Sequence, residues 1–328
     1  RLYIDGKKII DSWHNRSVET DSISLSLEKG KKYKLVAEYF DGGGSASAKL
    51  YWRVPDTDQR AVIDLYGEAG NIMRKCDLTV AVLGINQSIE REGQDRSSIE
   101  LPKEQQAFIE EAYKINPNTV VVLVAGSSLA INWMDEHIPA IVNAWYPGEA
   151  GGTAITEVLF GDYNPGGRLP LTYYNSLDEL PAFNDYDIRK GRTYQFFEGK
   201  PLYAFGYGLS YTTLSYKKRN VDSSGDTVKV SFTLKNTGKY EGDEVAQLYV
   251  KYQGTDSSVK MPLKQLKGFE RVHLKKGESR QVILTVPKSE LRFWDEAKGE
   301  FFTPSGDYLF MVGSASDAIQ LQQILKNL

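Results

Sequence analysis

A cluster of ionisable side chains lies in one short stretch of the chain, residues 84–96, which reads G-I-N-Q-S-I-E-R-E-G-Q-D-R. Carboxyl groups that share a loop in this way can serve as general acids or bases. The same composition also fits a solvated loop whose charges pair with one another, and composition alone favours this second interpretation. The ionisable residues of the stretch are Glu90, Arg91, Glu92, Asp95 and Arg96.

Other kinds of site find little support. A dinucleotide-binding loop needs G-x-G-x-x-G directly after a strand, whereas Gly84 is followed only by Gly93, nine residues later. Cys76 is the only cysteine, which excludes a disulfide within the chain. The 3 histidines are far apart and lack the spacing of a zinc site. We therefore expect neither a metal nor an organic cofactor.

Charge and hydropathy exclude further classes of function. The 328 residues carry 40 Lys plus Arg and 43 Asp plus Glu, a net charge of −3, so no general attraction to nucleic acid or anionic membrane is expected. No apolar run reaches the roughly 18 residues of a membrane span. The first residues, R-L-Y-I-D-G-K-K-I-I, lack the apolar core of a signal peptide, and we expect the true start of the protein to lie upstream.

The charged loop is expected at the edge of a parallel sheet. Near-continuous apolar runs over residues 78–83, 119–125 and 140–145 are typical of strands that are covered on both faces. Residues 102–115 and 150–160 predict helices between and after these strands. Strand–helix alternation predicts α/β layers. Because ligands bind such sheets beyond the carboxyl ends of the strands, the charged loop would lie where ligands bind.

All-β structure is expected before the α/β layers. Apolar and polar residues alternate on either side of a hairpin turn at Asp5-Gly6, and again near residues 23–27, 33–39 and 48–52. This pattern predicts about four strands, a partial β-sandwich that is too small to bury a full core alone.

All-β structure is also expected after the α/β layers. Alternation over residues 228–234, 246–250 and 282–286 predicts an antiparallel sandwich of the immunoglobulin or fibronectin kind. The predicted fold is therefore an α/β sandwich, a mostly parallel sheet with flanking helices, plus all-β domains. The predicted domains are residues 1–55, 56–211 and 212–328.

Three long motifs resemble glycoside hydrolase family 3. They are S-I-E-R-E-G-Q-D-R-S-S-I-E-L-P-K-E-Q-Q from residue 88, W-Y-P-G-E-A-G-G-T-A-I-T-E-V-L-F-G-D-Y-N-P-G-G-R-L-P from 145, and P-L-Y-A-F-G-Y-G-L-S-Y-T from 201. The resemblance implies three successive parts: the end of an inserted protective-antigen-type β-domain, the family's second, α/β domain, and its fibronectin type III-like domain. The charged loop and G-R-T-Y-Q-F-F are more similar to the β-xylosidase branch than to the β-glucosidase branch.

The resemblance implies a retaining exo-β-glycosidase that acts on an oligosaccharide or β-glycoside. Its nucleophilic Asp would lie in an N-terminal barrel, which needs about 200 residues or more and is not expected in this chain. The chain alone would then be inactive and would depend on the barrel portion of the same enzyme. The resemblance also implies a periplasmic or extracellular location. A non-catalytic carbohydrate-binding or interaction fragment is the alternative.

The family's acid/base Glu matches Glu90 by position in E-x-E-G-x-D-R, and Glu92 is the runner-up. Glu92 and Asp95 would favour the protonated form of Glu90, whereas Arg91 and Arg96 would favour the ionised form, so the balance stays open. Arg96 and Glu92 are the candidates for contact with substrate. An internal ion pair that fixes the loop is the favoured interpretation of Asp95-Arg96.

Three further residues have favoured structural interpretations. Glu149 precedes a predicted helix, so helix capping is favoured over acid catalysis. Trp133 and Trp145 could stack on sugar rings. Because both lie within or next to apolar runs, a place in the core is favoured for each.

Overall fold

The computed structural model describes residues 1–14, 20–40, 42, 48–50, 67–254 and 259–328. The chain forms two compact units, Arg1–Asp64 and Leu65–Leu328, and each is described by itself. The finer boundaries at residues 55 and 211 stay predictions.

The N-terminal unit contains a small antiparallel sheet. Its strands are β1 (Leu2–Ile4), β2 (Lys7–Ile10) and β3 (Leu35–Ala37), in the order β2-β1-β3. Asp5 and Gly6 both have positive φ, 47° and 79°, as a two-residue hairpin turn requires, so this prediction is confirmed.

Two other strands predicted in this unit do not form as expected. Residues 23–27 are not in a strand, and Ile23 and Leu25 are 45% and 42% exposed. Alternation predicts a strand only where one face is buried, and here neither face is. Residues 48–50 are also outside any strand, while Trp52 lies outside the described residues.

The second unit begins with the predicted parallel sheet. Its strands are β4 (Thr79–Gly84), β5 (Thr119–Val124) and β6 (Ala140–Asn143), in the order β4-β5-β6. The helices are α1 (67–73), α2 (Lys103–Ile115), α3 (Asn132–His137), α4 (Gly151–Phe160) and the short α5 (Thr193–Phe196). The predicted α/β architecture is confirmed.

The two predicted helices have the expected ends. Helix α2 follows Pro102 and stops before Asn116, whose side-chain amide donates hydrogen bonds to the carbonyls of Met73 and Cys76. Helix α4 ends at Gly161 in the left-handed conformation, the usual helix stop. Helix α3 was missed because it is short, with 6 residues, and no helix was predicted at residues 67–73.

The two faces of β4 differ strongly in burial. On one face, Ala81 and Leu83 are 4% and 7% exposed and belong to the core between sheet and helices. On the other face, Val80 and Val82 are 43% and 65% exposed. The prediction that this strand is covered on both faces is therefore wrong for the structure as described.

The C-terminal part is an antiparallel β-sandwich, as predicted. One sheet has the order β10-β9-β14-β15 and the other β11-β8-β7, and their facing side chains form one core. A two-stranded hairpin, β12-β13, stands beside them. The strands are β7 (Leu214–Asp222), β8 (Thr227–Asn236), β9 (Gly242–Tyr252), β10 (Gln265–Leu274), β11 (Ser279–Pro287), β12 (Phe293–Asp295), β13 (Glu300–Phe302), β14 (Tyr308–Gly313) and β15 (Ile319–Leu325).

Buried polar contacts join this sandwich to the preceding α/β region. The guanidinium of Arg168 lies 2.8 Å from the carboxylate of Glu244 on β9. The amide of Gln247 donates a hydrogen bond to the carbonyl of Gly206. Because these polar groups are buried and pair across the boundary between the two parts, the contacts favour one placement of the sandwich on the α/β region.

Candidate functional site

The charged loop lies at the carboxyl ends of β4 and β5. It leaves β4 at Ile85, whose amide donates to the carbonyl of Val124 at the end of β5. Val124 is followed by Ala125, Gly126 and two serines. The two strand ends therefore bring the acidic loop and a serine-containing loop together, where open α/β sheets bind ligands.

Glu90 is held between these two loops. Its Oε2 atom accepts a 2.6 Å hydrogen bond from the hydroxyl of Ser127 and lies 3.2 Å from Nε of Arg96. Both ionic side chains are largely buried, with 13% of Arg96 and 20% of Glu90 exposed. These two contacts restrain the carboxyl group of Glu90 between the acidic loop and the serine loop.

Arg96 connects the acidic loop to the serine loop. Its Nη2 group donates to the carbonyl of Ser128, and Nη1 is buried without a hydrogen-bond partner among the described residues. Burial lowers the pKa of Arg96, and the charge of Glu90 acts against that shift. An ion pair within the loop was expected at Asp95-Arg96. Arg96 does form an ion pair within the loop, but its partner is Glu90.

Glu92 has the opposite environment. The backbone groups of Arg91 and Gln94 donate to each other, 3.1 and 3.0 Å, so Glu92 and Gly93 form the tip of a tight turn. Gly93 has a φ of 74°, which a glycine adopts without steric cost. Glu92 is exposed, and no hydrogen bond or ion pair to another described residue holds its carboxyl group. The turn therefore displays Glu92 while the pair below it anchors the loop.

Tyr146 is a site residue that the sequence analysis missed. It follows β6 and is 52% exposed, and its ring rests against Gly126. A Cβ atom on Gly126 would lie 2.5 Å from Cε2 of this ring. The signal that could have found it is an aromatic residue directly after a predicted parallel strand, where ligand-binding loops begin.

The three residues with favoured structural interpretations have different outcomes. Trp133 packs on the core cluster and stacks on His137 with ring centroids 4.5 Å apart, so the core prediction is confirmed. Trp145 is half-buried and lies outside that cluster, with a φ of 54°. The capping role predicted for Glu149 is wrong, because Ala150 is the N-cap and no side chain caps the helix.

The structure also bears on metals and membranes. Among the described residues, no group of three or more His, Cys, Asp or Glu side chains could hold a metal ion. None of the helices in the described ranges is long and apolar enough to cross a membrane.

Family models match two parts of the chain. The model for the glycosyl hydrolase family 3 C-terminal domain matches residues 23–211. The model for a fibronectin type III-like domain matches residues 244–316.

Similar proteins cover nearly the whole chain. A xylan 1,4-beta-xylosidase of Xylanibacter ruminicola is 36% identical over 96% of this chain and 37% of its own length. A beta-glucosidase of Kluyveromyces marxianus is 34% identical over 97% of this chain and 40% of its own. The chain therefore spans about two fifths of the length of these relatives.

Solved structures show the same architecture. The crystal structure of the Kluyveromyces marxianus beta-glucosidase matches with a TM-score of 0.75 and 35% identity, over 81% of this chain and 33% of that chain. A β-glucosidase from Erythrobacter marinus matches with a TM-score of 0.73 and 32% identity, over 87% and 38% of the two chains.

Proposed function

The chain belongs to glycosyl hydrolase family 3, and on that premise we propose that it is the part of a retaining exo-β-glycosidase that supplies the general acid/base. The observation that carries the proposal is the carboxyl group displayed at the carboxyl ends of β4 and β5. The relatives that cover this chain are glycoside hydrolases, and the chain matches about two fifths of their length. The nucleophile, an Asp, would come from an N-terminal barrel outside these 328 residues.

The contacts of the two candidate acids favour Glu92 over Glu90. A general acid must carry a proton and then reach the leaving oxygen. Glu90 is committed to Arg96 and Ser127, and these contacts restrain its side chain away from a leaving oxygen. Glu92 is exposed at the tip of the turn. We therefore propose Glu92 as the acid/base and Glu90 as the residue that holds the loop, and Glu90 as acid/base is the alternative.

The reaction would be a double displacement. The barrel Asp attacks the anomeric carbon, the bond to the leaving oxygen breaks, and the carboxyl group of Glu92 gives its proton to that oxygen. Its carboxylate then takes a proton from water, whose oxygen attacks the anomeric carbon and releases the Asp. Retaining enzymes place the two carboxyl groups about 5–5.5 Å apart, so the barrel would dock over the turn at Glu92.

For the substrate we propose a β-xyloside, with a β-glucoside as the alternative. The sequences of the charged loop and of G-R-T-Y-Q-F-F, which are more similar to the β-xylosidase branch, support a β-xyloside. Relatives of both names match at similar identity, 36% and 34%. We also propose a periplasmic or extracellular location, which fractionation of the producing cells would check.

A substrate screen tests the proposal. The longer protein that contains this chain and its barrel should hydrolyse aryl β-xyloside faster than aryl β-glucoside or arabinofuranoside, and the 328-residue chain alone should hydrolyse none. Activity of the chain alone would contradict a nucleophile outside it. Binding of xylan without hydrolysis by the longer protein would support a non-catalytic carbohydrate-binding role instead.

A further inference from the structure

The aromatic ring of Tyr146 lies beside the acidic loop and follows a residue with an unusual backbone conformation. Residues 144–150 leave β6 through Trp145, which has a φ of 54° although it is not a glycine. Such left-handed conformations cost free energy and are concentrated at functional sites. Their effect here is to direct the next residue, Tyr146, back over the ends of the neighbouring strands.

The contacts of this ring tie it to the candidate acid/base loop. The Tyr146 hydroxyl reaches the carbonyl of Ile85, 3.5 Å away, where that loop begins. The ring rests on Gly126, and the next residue, Ser127, holds Glu90. The ring therefore lies against both chain segments that position the acidic turn.

The exposure of this ring separates it from the aromatic residues of the core. Tyr146 is 52% exposed, whereas Tyr173, which also lies near Arg96, is 4% exposed. The glycine at position 126 leaves room for the Tyr146 ring, because a Cβ atom there would collide with it. An exposed aromatic ring on a rigid support presents an apolar surface to a ligand.

We propose that Tyr146 binds the leaving-group sugar of the substrate, and thereby sets the preference for a sugar over a small leaving group. This inference rests on the proposed function. The acid/base protonates the oxygen that joins the two parts of the substrate, so the leaving group lies on its side of the bond. The ring beside the acid/base loop therefore faces the leaving group, and its apolar surface stacks on the C–H face of that sugar.

Two substrates separate this role from a structural one. The first is a β-linked disaccharide of the sugar that the enzyme accepts, and the second is the methyl β-glycoside of that sugar, whose leaving oxygen also needs a proton but carries no ring. In the longer enzyme, Tyr146→Ala should lower kcat/KM for the disaccharide about tenfold, which corresponds to roughly 1.4 kcal/mol. The value for the methyl glycoside should stay unchanged, because its leaving group has no ring to stack on Tyr146.

Two further variants control for folding. Tyr146→Phe keeps the ring and should behave like the original enzyme with both substrates. Gly126→Ala keeps Tyr146 but displaces its ring, and should also lower kcat/KM selectively for the disaccharide. Equal losses for both substrates, or no loss with the disaccharide, would overturn the inference. If the unaltered longer enzyme hydrolyses neither substrate, the proposed function falls and this inference falls with it.

Discussion

Arg168 and Glu244 form an ion pair inside the Leu65–Leu328 unit, with only 8% and 5% of the two side chains exposed. One oxygen of Glu244 also accepts the amide hydrogen of Val245, and Arg168 donates to the carbonyl of Gly167. Because the two buried charges compensate each other across the packed contact, the pair favours one position of the β-sandwich on the α/β region.

Removal of one partner of this pair should destabilise the chain strongly. Arg168→Met leaves Glu244 buried without a cation, and such changes cost about 3–5 kcal/mol. Urea unfolding followed by circular dichroism would measure the cost. The double variant Arg168→Met with Glu244→Leu should be less destabilised than Arg168→Met alone. Losses that simply add would contradict a coupled pair.

Two positions on one face of the parallel sheet, one in the edge strand β4 and one in the central strand β5, should respond differently to truncation. Val82 and Val122 are register partners on neighbouring parallel strands, but Val82 is 65% exposed and Val122 is 0% exposed. We predict that Val122→Ala lowers the free energy of unfolding by about 1–3 kcal/mol. Val82→Ala should change it by less than about 0.5 kcal/mol. Equal effects in denaturant titrations would show that Val82 is covered in solution.

The stability of the folded chain should fall in acid, in part because Asp243 becomes protonated. Burial raises the pKa of Asp243, but hydrogen bonds from His273 and Arg271 outweigh burial and hold it below its usual value. A lowered pKa in the folded state stabilises the fold above the unfolded pKa, near 4, and the benefit disappears as pH falls through the folded value. Asp243→Asn should therefore lower Tm at pH 6 but not near pH 2. An equal loss at both pH values would contradict this linkage.

We predict that a lysine cannot replace the arginine at position 96. It contacts Glu90 and the Ser128 carbonyl together, and a lysine ammonium cannot reproduce that fork. Arg96→Lys should lower kcat/KM of the longer enzyme by about tenfold or more. Arg91→Lys, an exposed change in the same loop, is the matched control and should be neutral. Equal activity of the two variants in steady-state assays would exclude a positioning role for Arg96.

Sequence patterns predicted most of the fold because periodicity reports burial directly. The alternation of β8 and the apolar run of β5 both follow which side chains are inside, and both strands formed as expected. The alternation at residues 23–27 failed because no sheet among the described residues covers that segment, whose apolar side chains are exposed. The exposure of Val82 was also hidden, since an apolar run cannot show whether a second layer is present.

The candidate site was predictable only in part. The charged loop was located correctly, but the partners of its carboxyl groups were not, because Ser127 lies 37 residues beyond Glu90. The turn that displays Glu92 depends on backbone hydrogen bonds between Arg91 and Gln94, which the spacing of acidic residues does not show.

The most direct test of the account is azide rescue of Glu92→Ala and Glu90→Ala in the longer enzyme. With a dinitrophenyl glycoside, the first step needs no acid, and azide can attack the glycosyl-enzyme without a base. The account predicts that azide accelerates Glu92→Ala and yields a β-glycosyl azide, while Glu90→Ala gives no such product. Rescue of Glu90→Ala alone, or of neither variant, would contradict it.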